Sequence, residues 1–228
     1  MIKNIFLDLD DTIFDFKACE RQALSAALSA FDLAFVEDDL SDYSRINDSM
    51  WKLLEKGEIT REELKTRRFE IFLSRFATPP SAKTFAEEYM RNLADTNALI
   101  DGARELLQTL SAKYRLYAVT NGYEVTQKGR LRSAAIEGYF TGIFISQIVG
   151  AVKPKREFFD YCVARIPDFA LRDTVLVGDS MTSDIAGGKA YGLYSIRFNP
   201  YREPCVGTLL PDAEISALAE LPALIARL

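Results

Sequence analysis

The chain has no histidine anywhere in its 228 residues. That absence removes Ser-His-Asp and Cys-His nucleophilic sites, imidazole general bases and His-ligated zinc in one step. Cysteine is scarce too. Cys19, Cys162 and Cys205 are odd in number, scattered, and form no Cys-x-x-Cys pair. They read as reduced thiols, so the cytoplasm is the expected compartment. No run of Lys or Arg stands out and the formal net charge is −5, so the basic footprint of a protein that binds nucleic-acid polymers is missing. No segment approaches the ~20 apolar residues of a membrane span. The one apolar run near the N-terminus is too short for a signal peptide and is followed at once by acids. Chemistry is left to carboxylates, lysine, hydroxyls or a hard metal.

Against these absences stands one stretch, Lys3-Asn4-Ile5-Phe6-Leu7-Asp8-Leu9-Asp10-Asp11-Thr12. Ile5, Phe6 and Leu7 suit a buried strand, and the strand runs straight into acids. Burying such acids unpaired is costly, so they must meet a cation, water or a reaction. Residues two apart on an extended chain point the same way, which predicts that Asp8 and Asp10 face one pocket at the strand's C-terminal end.

The 48% hydrophobic content allows one substantial core, or a core with a small accessory domain. From Phe16 to about Asp95 the pattern is helical. Leu24, Leu28, Phe31 and Phe35 share one stripe, and Tyr43, Ile46, Met50 and Leu54 another. Thr60-Arg61-Glu62-Glu63 is a capping box, opening a helix with Leu64, Ile71 and Phe72 inside. Pro79-Pro80 ends it, Ser81 can cap the next, and Phe85, Tyr89 and Leu93 lie on a stripe. After Asp101-Gly102 a helix carries Leu106, Leu107 and Leu110. Strand-like runs at Leu116–Val119, Ile143–Ile145, Thr174–Val177 and Tyr194–Ile196 then alternate with helices near Thr126–Ala135, Glu157–Arg165, Ser183–Tyr191 and Glu214–Arg227. The expected class is α/β, a Rossmann-like parallel sheet with helices on both faces and an inserted all-helical domain. The boundaries read as a core over 1–15 and 96–228 and a helical insertion over 16–95, which leaves directly after the acidic strand end and is a natural lid.

Three later runs also end in polar residues. Leu116–Val119 leads to Thr120-Asn121-Gly122. Ile143–Ile145 leads to Lys153-Pro154, where Pro154 suits the first turn of a helix. Thr174–Val177 leads to Gly178-Asp179-Ser180 with Asp184 beyond. Consecutive parallel strands point the same way, so one rim gathers Asp8, Asp10, Thr120, Asn121, Lys153, Asp179 and Asp184. An oxygen-rich set with one ammonium and no soft ligand suits Mg²⁺ and a phosphate.

In order, these residues are Asp8-x-Asp10-x-Thr12, Thr120, Lys153-Pro154 and Gly178-Asp179-Ser180-x-x-x-Asp184. The set resembles the motifs of the haloacid dehalogenase superfamily of phosphohydrolases, and the helical block resembles the cap domain those enzymes insert after the first motif. Thr120-Asn121-Gly122 with Gln127, Arg130 and Leu131 is similar to the bacterial pyrimidine 5′-nucleotidase subgroup. So are Tyr43-x-x-x-Asn47-x-x-x-Trp51, Gly57-x-Ile59-Thr60 and Ser183-Asp184-Ile185-x-Gly187-Gly188. The resemblance implies Asp8 as nucleophile and Asp10 as general acid, then base. It implies Mg²⁺ on Asp8, Asp179 and the main-chain carbonyl of Asp10, with Lys153, Thr120 and the N–H groups around Asn121 on the phosphate. Thr12 and Asp184 stand behind these, Asp184 orienting Lys153 or a metal-bound water. The implied partner is a small phosphorylated metabolite, a pyrimidine nucleoside monophosphate first, for a monomer or homodimer.

Several alternatives stay open. A sugar-phosphate phosphatase or phosphoglucomutase of the same superfamily would share the chemistry. Haloacid dehalogenase activity needs neither an acid two residues after the nucleophile nor a metal, and Asp10 and Asp179 are both here. A phospho-signalling receiver sets Asp, Thr and Lys on strand ends but is about half this length, and a catalytically silent interaction module is the remaining possibility. Taken singly, each motif has a bland reading as a turn, a cap or a solvated charge. In the insertion, Asn47 and Trp51 share a helical face, either as core or as part of a substrate pocket. Gly187 and Gly188 read as close-packing positions, and Arg67 and Arg68 as surface charges, one of which could reach substrate.

Overall fold

The computed structural model describes residues 1–205 and 207–228. In chain order the elements are β1 (Asn4–Leu7), α1 (Phe16–Ala30), α2 (Glu37–Lys56), α3 (Arg61–Leu73), α4 (Ala82–Asp95), α5 (Ala103–Ser111), β2 (Arg115–Thr120), α6 (Glu124–Ser133), β3 (Gly142–Ile145), α7 (Ser146–Val149), α8 (Arg156–Val163), β4 (Thr174–Gly178), α9 (Ala186–Tyr191), β5 (Tyr194–Phe198), β6 (Ala213–Ile215) and α10 (Leu221–Ile225). They form two compact units, one of residues Met1–Phe16 with Asn97–Leu228, the other of Lys17–Thr96.

In the first unit the described strands form one parallel sheet in the order β3-β2-β1-β4-β5-β6. Alternation along each strand sends side chains to opposite faces. Ile5 and Leu7 pack with Leu116, Ala118, Val175 and Val177 against Leu106, Leu107 and Leu110 of α5 and Leu221 and Ile225 of α10. Phe6 points the other way, with Tyr117, Val119 and Leu176, onto Phe158, Phe159 and Cys162 of α8. With both faces covered, the strands need apolar residues at nearly every position, and β1 is buried along its whole length. The strand order reverses between β1 and β4, where an open α/β sheet leaves a crevice beyond the strands' carboxyl ends.

The helical unit is held by an aromatic cluster. Tyr43 of α2, Phe69 of α3 and Tyr89 of α4 lie with ring centroids 5.1–5.3 Å apart, beside Phe72 and Phe85. Local signals set the helix ends. The Thr60 hydroxyl accepts from the Glu63 N–H at 3.2 Å while the Glu63 carboxylate accepts from the Thr60 N–H at 2.7 Å, and Ser81 caps α4 through the Thr84 N–H. Gly57 closes α2 with φ 77°, a left-handed conformation that favours glycine.

Several expectations need correction. Ile71 is 45% exposed, because the buried face of α3 centres on Phe72 and Ile71 lies about 100° round from it. Phe31 falls one residue past the end of α1. Pro154 does not open a helix: it precedes Lys155, the residue before α8. The helix expected over Glu214–Arg227 is instead edge strand β6, a turn and short α10. Ala213–Ile215 pairs with β5, and Glu220 then accepts from the N–H groups of Ser216 and Ala217, which ends the extended chain. Gly187 and Gly188 are indeed tightly packed, against Phe159 and the Pro154 backbone and against Ser195 and Leu176 respectively.

Candidate active site

Four loops at the carboxyl ends of β1, β2, β3 and β4 bring the charged residues together. Asp8 continues β1 and its N–H still donates to Val177 O at 2.9 Å, so its backbone is fixed by the sheet. Lys153, in the loop after α7, is 1% exposed, and its ammonium donates to Asp8 Oδ1 and Asp184 Oδ1, each at 2.6 Å, and to Val119 O at 2.7 Å. Burial alone would lower the Lys153 pKa, but Asp184 and Asp8 outweigh it and hold the ammonium charged. Asp184 is carried by a wide π turn, Met181–Ile185, after β4, and its other oxygen accepts from the Ser180 N–H at 3.2 Å. The carboxylate lies where a side chain at Gly178 would be, which explains the glycine at the end of β4.

Carboxylate oxygens of Asp8, Asp179 and Asp184 lie within 4.8 Å of one another. Burial pushes the Asp8 carboxyl up to about 8, against the pull of Lys153, with Asp184 and Asp10 adding repulsion. Burial and then Asp8 drive Asp179 well above the usual carboxylate range as well. Acids crowded until they resist ionising, with hard oxygen donors only, could hold a divalent cation. The Thr12 hydroxyl lies 3.5 Å from Asp179 Oδ1.

Asp10 does not join this cluster by its side chain. β1 ends at Leu7 and Asp11 takes a left-handed φ of 55°, yet the Asp10 carboxylate still lies near enough to repel that of Asp8. The Asp10 carboxylate instead accepts from Arg130 at Oδ1 and from Gln127 Nε2 at Oδ2, 2.7 Å away. Gln127 Nε2 also donates to the Thr120 hydroxyl at 2.7 Å. Both Gln127 and Arg130 are buried on α6. Their i,i+3 spacing was visible in the sequence, but nothing there said which strand end they would meet.

The Asn121 side chain binds the Lys153 backbone. Its amide donates to Lys153 O at 3.0 Å and its carbonyl accepts from Lys153 N at 2.8 Å, so the side chain fixes the lysine backbone. The Gly122 N–H, expected toward phosphate, donates to Thr120 Oγ1 at 3.1 Å. In the helical unit Asn47 is buried, donating to Glu20 at 3.3 Å and accepting from Arg68 at 2.7 Å. Arg68 is therefore no surface charge: it is buried over the rings of Phe69 and Tyr89, whereas Arg67 is exposed. Trp51 is half-buried, with the Arg61 guanidinium 6.0 Å from its ring. Among the described residues no helix is long and apolar enough to cross a membrane.

Comparison with known proteins bears on this geometry. The family model described as haloacid dehalogenase-like hydrolase matches residues 2–192. The HAD-hydrolase YfnB of Bacillus subtilis is 36% identical over 219 residues, covering 96% of this chain and 93% of that one. Its magnesium-bound crystal structure superposes with a TM-score of 0.93 over 98% of both chains. The pyrimidine 5′-nucleotidase PynA of Streptococcus pneumoniae is 34% identical over 200 residues, 87% of this chain and 84% of that one. The pyrimidine 5′-nucleotidase YjjG of Escherichia coli is 28% identical over 223 residues, 98% of this chain and 97% of that one.

Proposed function

The chain belongs to the haloacid dehalogenase-like hydrolases, and from that premise we propose that it is a Mg²⁺-dependent phosphomonoesterase. It works through an aspartyl-phosphate on Asp8 and prefers pyrimidine nucleoside 5′-monophosphates. The observation that carries this reading is the Lys153 ammonium locked between Asp8 and Asp184 beside Asp179. One oxygen of Asp8 is held by the lysine, which leaves the other to attack phosphorus. The new Asp8 O–P bond forms as the ester P–O bond breaks, and Asp10 delivers its proton to the departing alkoxide. Asp10 then takes a proton from the water that attacks phosphorus and releases Asp8. Such proton transfers contribute on the order of 10²–10⁴-fold.

The Thr120 hydroxyl and the charge of Lys153 stabilise the transferring oxygens, the lysine through its field because its N–H groups are taken by Asp8, Asp184 and Val119. Asn121 acts by holding the Lys153 backbone. The residues that would hold Mg²⁺ are Asp8 and Asp179 with the Asp10 main-chain carbonyl, and the ion supplies compensation for the negative charge of nucleophile and ester. The nucleotide preference is supported by the names of the relatives PynA and YjjG.

The test is phosphate release from a panel of nucleoside 5′-monophosphates and sugar phosphates, with Mg²⁺ and with chelator. Pyrimidine nucleotides should be hydrolysed fastest, and only with the ion. Faster turnover of sugar phosphates would move the substrate assignment. Halide release from a 2-haloacid, or hydrolysis indifferent to chelator, would sink the mechanism.

A further inference from the structure

Arg130 and Gln127 face each other's neighbourhood on one side of α6, and the reaction sketched above gives neither a task. Residues three apart on a helix share a face, and here that face meets β1's acidic loop. Gln127 uses both hydrogens of its amide nitrogen, one on Asp10 Oδ2 at 2.7 Å and one on Thr120 Oγ1 at 2.7 Å. Arg130 donates from one nitrogen to Asp10 Oδ1 and to Gln127 Oε1, the latter at 3.2 Å. Both side chains are 1% exposed. The guanidinium is held from behind by the ring of Phe14, 4.1 Å from its carbon, and that of Phe16 at 5.6 Å. Both oxygens of Asp10 are therefore held from one rigid helix.

Thr120 is fixed by the same amide. Its oxygen accepts from Gln127 and from the Gly122 N–H, 3.1 Å away, so its own hydrogen is left to donate elsewhere. A side chain at residue 122 would land on the Gln127 amide, so the glycine keeps that route open.

We propose that Gln127 and Arg130 are positioning residues: together they set where the Asp10 carboxyl stands, and Gln127 aims the Thr120 hydroxyl in the same register. The inference rests on the reading of Asp10 as the proton carrier. A buried pair that merely stabilised the fold would affect every ester alike. A pair that places the proton donor matters only when the leaving group needs a proton, and misplacement of about 1 Å can cost on the order of 10²-fold.

The experiment measures leaving-group release in the first turnover, with Mg²⁺, for wild type, Gln127→Met, Gly122→Ala and Arg130→Lys. One ester is 2,4-dinitrophenyl phosphate, whose phenolate departs without a proton. The other is a nucleoside 5′-monophosphate, whose alkoxide does not. Each variant should lose on the order of 10²-fold more on the nucleotide than on the dinitrophenyl ester. Arg130→Lys should leave that ester within about threefold, whereas Gln127→Met and Gly122→Ala, which also release the Thr120 hydroxyl, slow both esters before that difference is counted. Gly122→Ala shifts Gln127 without replacing it, so the same selectivity should appear there. If Arg130→Lys does not fold, the other two variants decide the matter. Equal losses on both esters, or none on either, overturn the inference. A wild type that releases no dinitrophenolate overturns the phosphatase reading and this inference with it, whereas release by the wild type with even losses in the variants overturns this inference alone.

Discussion

Lys153 spends its three N–H donors inside the protein, on Asp8, Asp184 and Val119. Its partner Asp8 is the residue on which most depends. Asp8→Asn is expected to bring phosphate release down to background while the thermal melt remains cooperative, checked by a phosphate assay beside a melt. The raised Asp8 pKa gives a second expectation with a definite sign. Without a cation, folded Asp8 keeps its proton up to about pH 8, whereas unfolded it would lose it near 3.8. Between those values the folded chain binds more protons, so the stability of the metal-free protein falls as pH rises through the window. Mg²⁺ needs the carboxylates of Asp8 and Asp179, both of which resist ionising, so its affinity should climb with pH below 8, by up to about tenfold per pH unit for each acid that must lose its proton. Titration calorimetry on either side of that pH reads it. At this scale Asp8, Lys153, Asp179 and Asp184 were legible, because each follows an apolar run. Gln127 and Arg130 were visible as part of a motif but not as partners of Asp10, since nothing in a helix's sequence says which strand end it will meet.

Elements were legible where periodicity was long. The four helices of the insertion announced themselves through stripes and caps, and five of the strands through apolar runs. β6 did not, because it has three residues and the leucines after it, Leu218, Leu221 and Leu224, mimic a helical stripe. Arg68 was misread because the second of two adjacent arginines gives no sign that Asn47 waits opposite it. The caps themselves can be tested. Thr60→Ala removes the hydroxyl that accepts the Glu63 N–H and should cost about 1 kcal/mol. In a chain of this length that is a lowering of Tm by roughly 2–4 °C, read by calorimetry.

On the scale of the whole molecule, the chain leaves the sheet unit and returns to it at neighbouring points. Phe14 bridges Leu99 in antiparallel fashion and the Asp15 N–H donates to Ala98 O at 3.1 Å. The insertion is thus closed at its base, and the sheet unit has its own core on both faces. Replacing residues 17–96 by a short glycine linker should leave a protein that melts cooperatively and still hydrolyses 2,4-dinitrophenyl phosphate with Mg²⁺. Nucleotide discrimination should be lost, as the ratio of rates on the ester panel would report. One consequence concerns the cluster itself. With Asp8, Asp179 and Asp184 all ionised and Lys153 among them, two negative charges are left over. A divalent ion cancels that remainder, sodium halves it, and a lanthanide overshoots, so a trivalent intruder would hold on to the released anion and stall the site rather than run it.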